Sequence, residues 1–191
     1  MIFLQKPLLL ASNSPRRKQL LSDAGFDFSI EVLPTSETFP ADLPAEQVAA
    51  YIAHEKAEMF RGLRPESIIL TADTVVIADN QILGKPVDFS EAWQMLARLS
   101  GKSHTVVTAV SMLSGDQIQT VSDVAQVYFR KLDDSEITYY IENYKPYDKA
   151  GAYGIQEWIG MTGIEKIEGS FYTIMGLPVH VVYRMLKPYF K

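Results

Sequence analysis

Residues 67–77 constrain the fold more strongly than any other stretch of this sequence. Apolar and β-branched side chains dominate the run, so a strand formed by it is apolar on both faces. Such a strand is typical of the centre of a sheet that is covered on both sides by helices. The run has one charged position, because Asp73 places a carboxylate in its second half. We therefore expect a buried central strand that carries a single acid.

Helix-like and strand-like patterns alternate along the rest of the chain. Residues 104–113 and 117–129 form two long β-like segments, and Ser114-Gly115-Asp116 between them is typical of a hairpin. Strand–helix units combined with a long hairpin predict an α/β fold with a mixed sheet. We expect Ser90 to cap the third helix, and residues 144–176 to be irregular apart from one short strand. The other predicted strands are 7–11, 28–33 and 163–167. The predicted helices are 15–24, 45–60, 90–99 and 134–143, together with a last helix that starts at 177 or 178 and ends at 186.

The composition is that of one globular domain, which we assign to residues 1–191. A net charge of −5 disfavours broad binding to nucleic acid or to a membrane surface, so an anion site requires a local cluster of Lys and Arg. No apolar run approaches the ~18 residues of a membrane span, and the first apolar stretch is too short for a signal peptide. The absence of cysteine excludes disulfides and thiolate chemistry, and it fits a cytoplasmic location.

The junction between the first strand and the first helix has an unusual charge pattern. Ser14 is a typical helix N-cap, and Pro15 suits the first helical position, where its missing N–H costs nothing. Arg16 and Arg17 then occupy the first turn, where the partly positive helix end disfavours each cation by roughly 0.3–1 kcal/mol. A phosphate bound there with the help of Ser12 removes this conflict. The alternative is a solvated helix start with two surface arginines.

Charged groups elsewhere are further candidates for chemistry. Asp73 is either a buried acid tied to a backbone N–H or a lysine, or a general base or Mg²⁺ ligand that projects into a cleft. Lys85, between a glycine and a proline, is either a surface lysine at a turn or a point charge aimed at phosphate. Glu37 and Lys56 are uninformative by themselves, since ordinary solvated charges explain both.

Residues 148–156 form a dense segment, Asp-Lys-Ala-Gly-Ala-Tyr-Gly-Ile-Gln. Its glycines permit a close backbone approach to a ligand, and Lys149 adds a positive charge. The amide of Gln156 has both a donor and an acceptor, which matches the edge of uracil or thymine. The alternative is a glycine-rich turn that packs Tyr153 into the core. The histidines lack metal-ligand spacing, and we interpret them as structural or solvated.

Together these segments resemble the Maf family of nucleoside triphosphate pyrophosphatases over nearly the full length of the chain. Several separate motifs in the same order carry the resemblance more strongly than any one of them does. The matching segments are 11–17, Glu37, Lys56-Ala57, 72–76, 84–86, 99–101 with His104 and Thr108, 148–156 and 176–178.

The resemblance implies a two-lobed α/β fold, in which helices flank an elongated mixed sheet with a central cleft, as in Maf and ITPase-like proteins. It implies hydrolysis of a nucleoside triphosphate to the monophosphate and pyrophosphate with a divalent cation, Mg²⁺ or Mn²⁺, in a house-cleaning role. The run Ala-Gly-Ala-Tyr-Gly-Ile-Gln is similar to the branch that acts on dTTP, UTP and modified pyrimidine analogues. In that branch the positions of Arg17, Thr74 and Gln156 are associated with substrate choice, and that of Asp73 with proton abstraction.

With this resemblance the candidate residues divide into expected roles. Water attacks the α-phosphorus, activated by the acid on the central strand, and lysines neutralise the leaving pyrophosphate. The expected catalytic residues are Asp73, Glu37 and Lys85, and the expected metal ligands are Glu37 and Asp73. The expected substrate-binding residues are Ser12, Arg16, Arg17, Lys56, Thr74, Lys149 and Gln156.

Two other functions stay open at this point. One is a pyrophosphatase for 7-methyl-GTP or other modified nucleotides, and the other is a nucleotide-binding regulator of cell division without catalysis. The family also implies a homodimer. Tyr139, Tyr140 and Trp158 suit such an interface, although core packing explains them as well.

Overall fold

A mixed sheet of seven strands runs through the computed structural model, which describes residues 2–191. The strands are β1 (Leu8–Leu10), β2 (Ser29–Ile30), β3 (Ile68–Ala78), β4 (Gln81–Leu83), β5 (Ser103–Ser114), β6 (Gln117–Phe129) and β7 (Ile164–Glu168). The helices are α1 (Pro15–Asp23), α2 (Ala45–Glu58), α3 (Phe89–Leu99), α4 (Asp134–Tyr144), α5 (Trp158–Gly163), α6 (Phe171–Met175) and α7 (Val179–Leu186). Among residues 2–191, no helix has both the length and the apolar character that crossing a membrane requires.

The sheet has the strand order β2-β1-β3-β5-β6-β7, and β4 pairs with β3. β1 runs parallel to β2 and β3, whereas β4 and β7 pair antiparallel with β3 and β6. β3 has hydrogen-bonded neighbours on both sides, and all of its residues except Thr74 are buried. β5 and β6 are neighbours joined by two residues, Gly115 and Asp116. The predicted mixed α/β sheet, its central strand and its long hairpin are therefore confirmed.

The segment before α3 starts that helix earlier than predicted. Asp88, not Ser90, is the N-cap, and its carboxylate accepts a hydrogen bond from the Glu91 amide at 2.8 Å. The Glu91 carboxylate in turn accepts a hydrogen bond from the Val87 amide at 2.7 Å. Because these two bonds satisfy amides at the helix start, the helix begins at Phe89.

Residues 144–176 are more regular than predicted, since they contain α5 and α6 in addition to β7. These helices have six and five residues, which is too short for an apolar period to be recognised. Gly160 lets α5 pack closely on the preceding turn, because a Cβ there would lie 1.8 Å from the Ile155 carbonyl oxygen. Elsewhere the predicted elements were too long, since α2 ends at Glu58 and β2 has only two residues.

The chain divides into two compact units. The first comprises the described residues up to Asp73, together with Thr108–Asp123 and Gly176–Lys191. In this unit α2 packs on the sheet through a small cluster of buried side chains, which are Leu9, Ala11, Ala57, Phe60, Ile69 and Leu113. The cluster brings the last turn of α2 against β1 and β3.

The second unit comprises Thr74–Val107 and Val124–Met175. Helices α3, α4 and α5 contribute the large, fully buried side chains of its core, which are Leu96, Leu99, Ile137, Tyr140, Ile141 and Ile159. Full burial of each such side chain stabilises the fold by about 1.5–3 kcal/mol. Tyr140 is 0% exposed, so of the two alternatives for this residue core packing is the one observed, whereas Tyr139 is 47% exposed.

Candidate active site

One ammonium group and two carboxylates form a charge cluster in the first unit. The Nζ atom of Lys56 lies 2.7 Å from Oε1 of Glu37 and 2.8 Å from Oδ1 of Asp73. The side chains of Lys56 and Asp73 are only 14% and 13% exposed, whereas that of Glu37 is 52% exposed. A single lysine therefore partners a shielded acid from the central strand and a solvated acid from a loop.

The contact between α2 and β3 explains why Lys56 meets Asp73. The buried hydroxyl of Thr71 donates a hydrogen bond to the carbonyl of Ala53 at 2.6 Å, which fixes the strand against the helix. Lys56 lies three residues beyond Ala53, so it lies on the same helix face. Asp73 lies two residues beyond Thr71, so it lies on the same strand face. The two periodicities bring the charged ends together.

Arg17 is held by three separate segments. Its Nε atom donates to the carbonyl of Gly176 at 2.8 Å, and Nη1 donates to the carbonyl of Ala72 at 2.8 Å and to the Ser12 hydroxyl at 3.5 Å. Burial lowers the pKa of the Arg17 guanidinium, and the negative charge of Asp73 opposes that shift. The Arg17 guanidinium thus fixes the start of α1 beside Ala72, which directly precedes Asp73.

The start of α1 has the predicted cap. The Ser14 hydroxyl accepts a hydrogen bond from the Arg17 amide at 3.4 Å, and the Ser12 hydroxyl accepts one from the Ser14 amide at 3.2 Å. Among the neighbouring charges that act on the pKa of Arg17, Asp73 has the largest effect and Arg16 the next. The first unit therefore brings together five of the predicted site residues, which are Ser12, Arg17, Glu37, Lys56 and Asp73, and Arg16 precedes Arg17 in the first turn of α1.

Lys149 forms a comparable cluster in the second unit. Its Nζ atom lies 2.7 Å from Oδ1 of Asp148 and 3.2 Å from Oε1 of Glu157. The side chains of Lys149 and Glu157 are 9% and 18% exposed. A buried ammonium requires such partners, because an unpaired charge away from water is costly. Lys149, which was predicted to bind substrate phosphate, thus has a shielded ammonium group in a fixed position.

The hydroxyl of Tyr140 connects this cluster to the glycine-rich turn. It donates a hydrogen bond to Oε2 of Glu157 and accepts one from the amide of Gly154 at 3.0 Å. The Glu157 amide donates to the Gly154 carbonyl at 3.0 Å, which closes the turn. Burial and the hydrogen bond to the Glu157 carboxylate raise the pKa of Tyr140, so this hydroxyl stays protonated.

Gln156 is exposed on the same turn and lines a groove of about 450 Å³. Ile155, Met161, Ile164 and Phe171 contribute apolar side chains to the groove walls. A volume of this size is typical of small-molecule sites, which combine apolar walls with a few polar groups. The predicted base-reading amide therefore lies at a concave, partly apolar surface.

Lys85 and Thr74 complete the predicted residues of the second unit. Lys85 is exposed in the loop after β4, and the preceding Gly84 carbonyl accepts a hydrogen bond from the Gly151 amide at 3.0 Å. The loop is thereby tied to the glycine-rich segment. Thr74 follows Asp73 on β3 and is the one partly exposed residue of that strand.

His104 is buried beside the glycine-rich segment, with 3% of its surface exposed. Its Nε2 atom lies 2.8 Å from the Tyr153 hydroxyl, and its ring stacks on Phe129 with a centroid distance of 5.7 Å. Burial lowers the pKa of His104 to about 4, so the ring is neutral at neutral pH. Tyr153 is itself 6% exposed, so the glycine-rich turn does pack this tyrosine into the core.

Glu37 and Asp73 are the donors in the first unit that suit a divalent cation. Their carboxylate oxygens both lie within 2.8 Å of Nζ of Lys56, so the two acids face the same position. Within residues 2–191 there is no group of three or more His, Asp or Glu side chains arranged for a metal. Two carboxylates fit Mg²⁺, which keeps several waters and takes its other ligands from substrate phosphates.

Sequence reasoning missed Tyr140 and Glu157 as parts of the site. Glu157 directly follows Gln156, but a single acid after a glycine-rich run has no periodic signal. Tyr140 had such a signal, because it shares the buried face of α4 with Ile137 and Ile141 at helical spacing. Its partner lies 17 residues further along the chain, and no local pattern predicts that contact.

Comparisons with known proteins show what this chain is similar to. The family model described as Maf-like protein matches residues 7–189. The dTTP/UTP pyrophosphatase of Phocaeicola vulgatus is 49% identical over 182 residues, covering 94% of this chain and 94% of the relative. That of Porphyromonas gingivalis is 48% identical over 186 residues, covering 95% and 94%. The solved Ham1 protein of Staphylococcus aureus has a TM-score of 0.49 and 12% identity over 65% of this chain and 72% of that chain, too distant for inference.

A seven-stranded mixed α/β sheet with clustered acids, lysines and arginines defines a candidate phosphate-handling enzyme. The match over residues 7–189, together with relatives at 48–49% identity, establishes that the chain belongs to the Maf family.

Proposed function

We propose that this protein hydrolyses dTTP and UTP to the nucleoside monophosphate and pyrophosphate. The observation that carries the proposal is the Glu37–Lys56–Asp73 cluster, in which a shielded acid of fixed position lies beside a second acid. The names of the relatives at 48–49% identity, dTTP/UTP pyrophosphatases, support this choice of reaction and substrate.

We assign proton acceptance to Asp73. Water attacks the α-phosphorus, a new O–P bond forms, the bond from the α-phosphorus to the oxygen bridging to the β-phosphorus breaks, and pyrophosphate leaves with that oxygen. The Asp73 carboxylate accepts the proton that the water loses. Its low exposure and its 2.8 Å contact with Lys56 hold the carboxylate in one position, which lowers the cost of reaching the reacting geometry.

Glu37 and Asp73 would hold the divalent cation, which we propose to be Mg²⁺ or Mn²⁺. When bound, such an ion neutralises phosphate charge and lowers the pKa of a bound water. The exposed position of Glu37 suits a ligand that meets the ion from solvent, while Lys56 keeps both acids oriented.

The cationic residues divide between binding and charge neutralisation. The start of α1 supplies a hydroxyl and two guanidinium groups near a partly positive helix end, which favours phosphate oxygens. We assign phosphate binding to Ser12, Arg16 and Arg17. We assign neutralisation of the pyrophosphate charge to Lys56, Lys85 and Lys149.

The base is proposed to bind in the groove that Gln156 lines. Its amide can donate to a carbonyl oxygen of uracil or thymine and accept from the ring N–H, while the apolar walls contact the ring faces. Cytosine presents the reversed pattern of donor and acceptor on this edge, so in the orientation that pairs with uracil the amide cannot make both bonds with CTP. Thr74, partly exposed after the catalytic acid, is the second residue we assign to substrate choice.

A panel of nucleotides tests the proposal. Pyrophosphate release is measured from UTP, dTTP, CTP and 7-methyl-GTP with Mg²⁺, and again after addition of EDTA. We expect turnover of dTTP and UTP that EDTA removes and excess Mg²⁺ restores. Preferred turnover of 7-methyl-GTP would support the modified-nucleotide alternative. Binding of dTTP without pyrophosphate release, with any divalent metal, would support a regulator without catalysis.

We also propose that the enzyme is cytoplasmic and forms homodimers. The chain has no cysteine, which is compatible with a reducing compartment. The exposed ring of Tyr139 packs edge-on against Trp158 with a centroid distance of 4.9 Å, and this aromatic pair is the surface we assign to a second copy. Sedimentation of the wild type against Tyr139→Ser tests the assignment, since a monomer in both would contradict it.

A further inference from the structure

We infer that Tyr140 and Glu157 are positioning residues. They hold the base reader Gln156, on the turn from Gly154 to Glu157, and Lys149, which pairs with Glu157, at fixed places. The inference rests on the proposed function, because it assigns Gln156 and Lys149 their roles from there. Neither Tyr140 nor Glu157 contacts the substrate. They act through the hydrogen bonds and the ion pair that join them to the turn.

The hydroxyl of Tyr140 is a fixed point in the core of the second unit. The side chain is 0% exposed, and its ring stacks on Tyr144 with a centroid distance of 5.0 Å. The same hydroxyl donates to Glu157 and accepts from the Gly154 amide, so both of its functions are used. A group held by its ring and by two hydrogen bonds has little freedom to move.

The turn from Gly154 to Glu157 is held at both ends by that hydroxyl. Its first amide binds Tyr140 directly, and its last residue binds Tyr140 through the carboxylate. The Glu157 side chain lies over Gly154 so closely that a Cβ on Gly154 would be 2.7 Å from the Glu157 carboxyl carbon. Gln156 is therefore part of a turn whose ends cannot shift independently.

The Glu157 carboxylate also connects this turn to Lys149. Its Oε2 atom accepts from Tyr140, while Oε1 lies 3.2 Å from the Lys149 ammonium. The other partner of Lys149, Asp148, is 59% exposed, so its ion pair is screened by water and contributes less. The Glu157 carboxylate thus couples the orientation of Gln156 to the position of the Lys149 ammonium.

Tyr140→Phe tests the hydroxyl, and Tyr144→Phe is the matched control on the same helix. The substitution removes one oxygen atom from a core that keeps its ring, so the protein is expected to fold. It leaves the Gly154 amide without its partner and leaves the Glu157 carboxylate held by Lys149 alone. We expect KM for dTTP and UTP to rise about tenfold with kcat within threefold, and preference for dTTP over CTP to fall. Tyr144→Phe is expected to match the wild type.

Glu157→Gln removes the negative charge that pairs with Lys149 but keeps an acceptor for the Tyr140 hydroxyl. Glu142→Gln, at an exposed position of α4, is the control. Glutamine still accepts a hydrogen bond from Tyr140 but no longer pairs with Lys149. We therefore expect kcat/KM to fall about tenfold for every nucleotide while preference for dTTP over CTP is retained. Loss of preference in Glu157→Gln together with its retention in Tyr140→Phe would overturn the division of roles.

Direct binding distinguishes a failure of this inference from a failure of the proposed function. Affinity for dTTP is measured by calorimetry under conditions without turnover, and amide exchange at Gly154 is followed without nucleotide. An active wild type with unchanged KM and affinity in Tyr140→Phe overturns the positioning role alone. A wild type without pyrophosphate release overturns the proposed function, and the affinity of Tyr140→Phe then decides the positioning role separately. Faster exchange at Gly154 in Tyr140→Phe, with unchanged affinity, would indicate a merely structural contact.

Discussion

Replacing Asp73 by asparagine tests the acid on β3 with the smallest change in shape. Asparagine keeps the size of the side chain and can still accept a hydrogen bond from Lys56 through its carbonyl oxygen. The substitution removes only the negative charge and the ability to accept a proton. Any large loss of turnover therefore reports on the chemistry of this group rather than on packing.

The structure sets the expected magnitudes for Asp73→Asn. The bond to Lys56 is shielded, since the two side chains are 14% and 13% exposed, and a charge-assisted bond exceeds a neutral one by about 1 kcal/mol. For a chain of this length that lowers the melting temperature by about 2–4 °C. Loss of a positioned general base lowers kcat by about 10²–10⁴-fold, or roughly 3–5.5 kcal/mol in activation free energy. The effect on catalysis is thus much larger than the effect on stability.

Pyrophosphate release from dTTP with saturating Mg²⁺ measures kcat, and calorimetry measures the melting temperature of the same preparation. Asp42→Asn is the matched control, because Asp42 is exposed in the loop before α2. We expect the control to match the wild type in both measurements. Turnover of Asp73→Asn within tenfold of the wild type would refute the assignment of proton acceptance. A collapse of stability would refute the view that the charge matters mainly for chemistry.

Three other substitutions test contacts in the two units. Arg17→Lys keeps the charge but cannot donate to the carbonyl groups of both Ala72 and Gly176. We therefore expect calorimetry to show a melting temperature about 2–4 °C lower, together with a raised KM. An unchanged melting temperature would contradict the anchoring role of Arg17. Burial lowers the pKa of His104 to about 4 from 6.5, so its neutral form contributes full stability above pH 6.5 and that contribution is lost as pH falls towards 4. Urea unfolding should therefore show the wild type losing about 1 kcal/mol more than His104→Gln between pH 7 and 5.5, and equal losses would contradict the shift. Glu37→Gln should raise the Mg²⁺ concentration for half-maximal turnover at least about tenfold, and an unchanged requirement would remove Glu37 from the cation site.

Local signals predicted the parts of this fold that local physics determines. The cap at Ser14, the buried run of β3 and the hairpin at Gly115 each depend on residues close together in the chain, and each was predicted correctly. Asp88 and Ser90 are both possible N-caps for α3, and the prediction of Ser90 was wrong. Asp88 is the cap because its carboxylate accepts from the Glu91 amide, while the Glu91 carboxylate accepts from the Val87 amide. The two short helices between 144 and 176 were missed because tertiary packing, not periodicity, defines them.

The resemblance named the candidate site residues, but it did not predict their contacts. Motif resemblance identified Lys56 and Asp73, but their pairing depends on how α2 lies on β3, which the Thr71 hydroxyl determines. The partners of Arg17 are backbone carbonyl groups, and a carbonyl group has no signature in a sequence. The contact between Tyr140 and Glu157 was not predicted for a similar reason, since the partner of the Tyr140 hydroxyl lies in a later segment.

Because Glu37 and Asp73 both pair with Lys56, either acid can balance the charge of the lysine when the other is absent. When either acid is lost, the lysine still has a carboxylate to pair with, and the penalty is limited. When both are lost, a shielded ammonium is left with no counter-charge, so the double substitution destabilises the protein by more than the two single effects added together. In the protein that lacks both acids, replacing Lys56 with methionine, which fills similar space without charge, is then expected to restore stability.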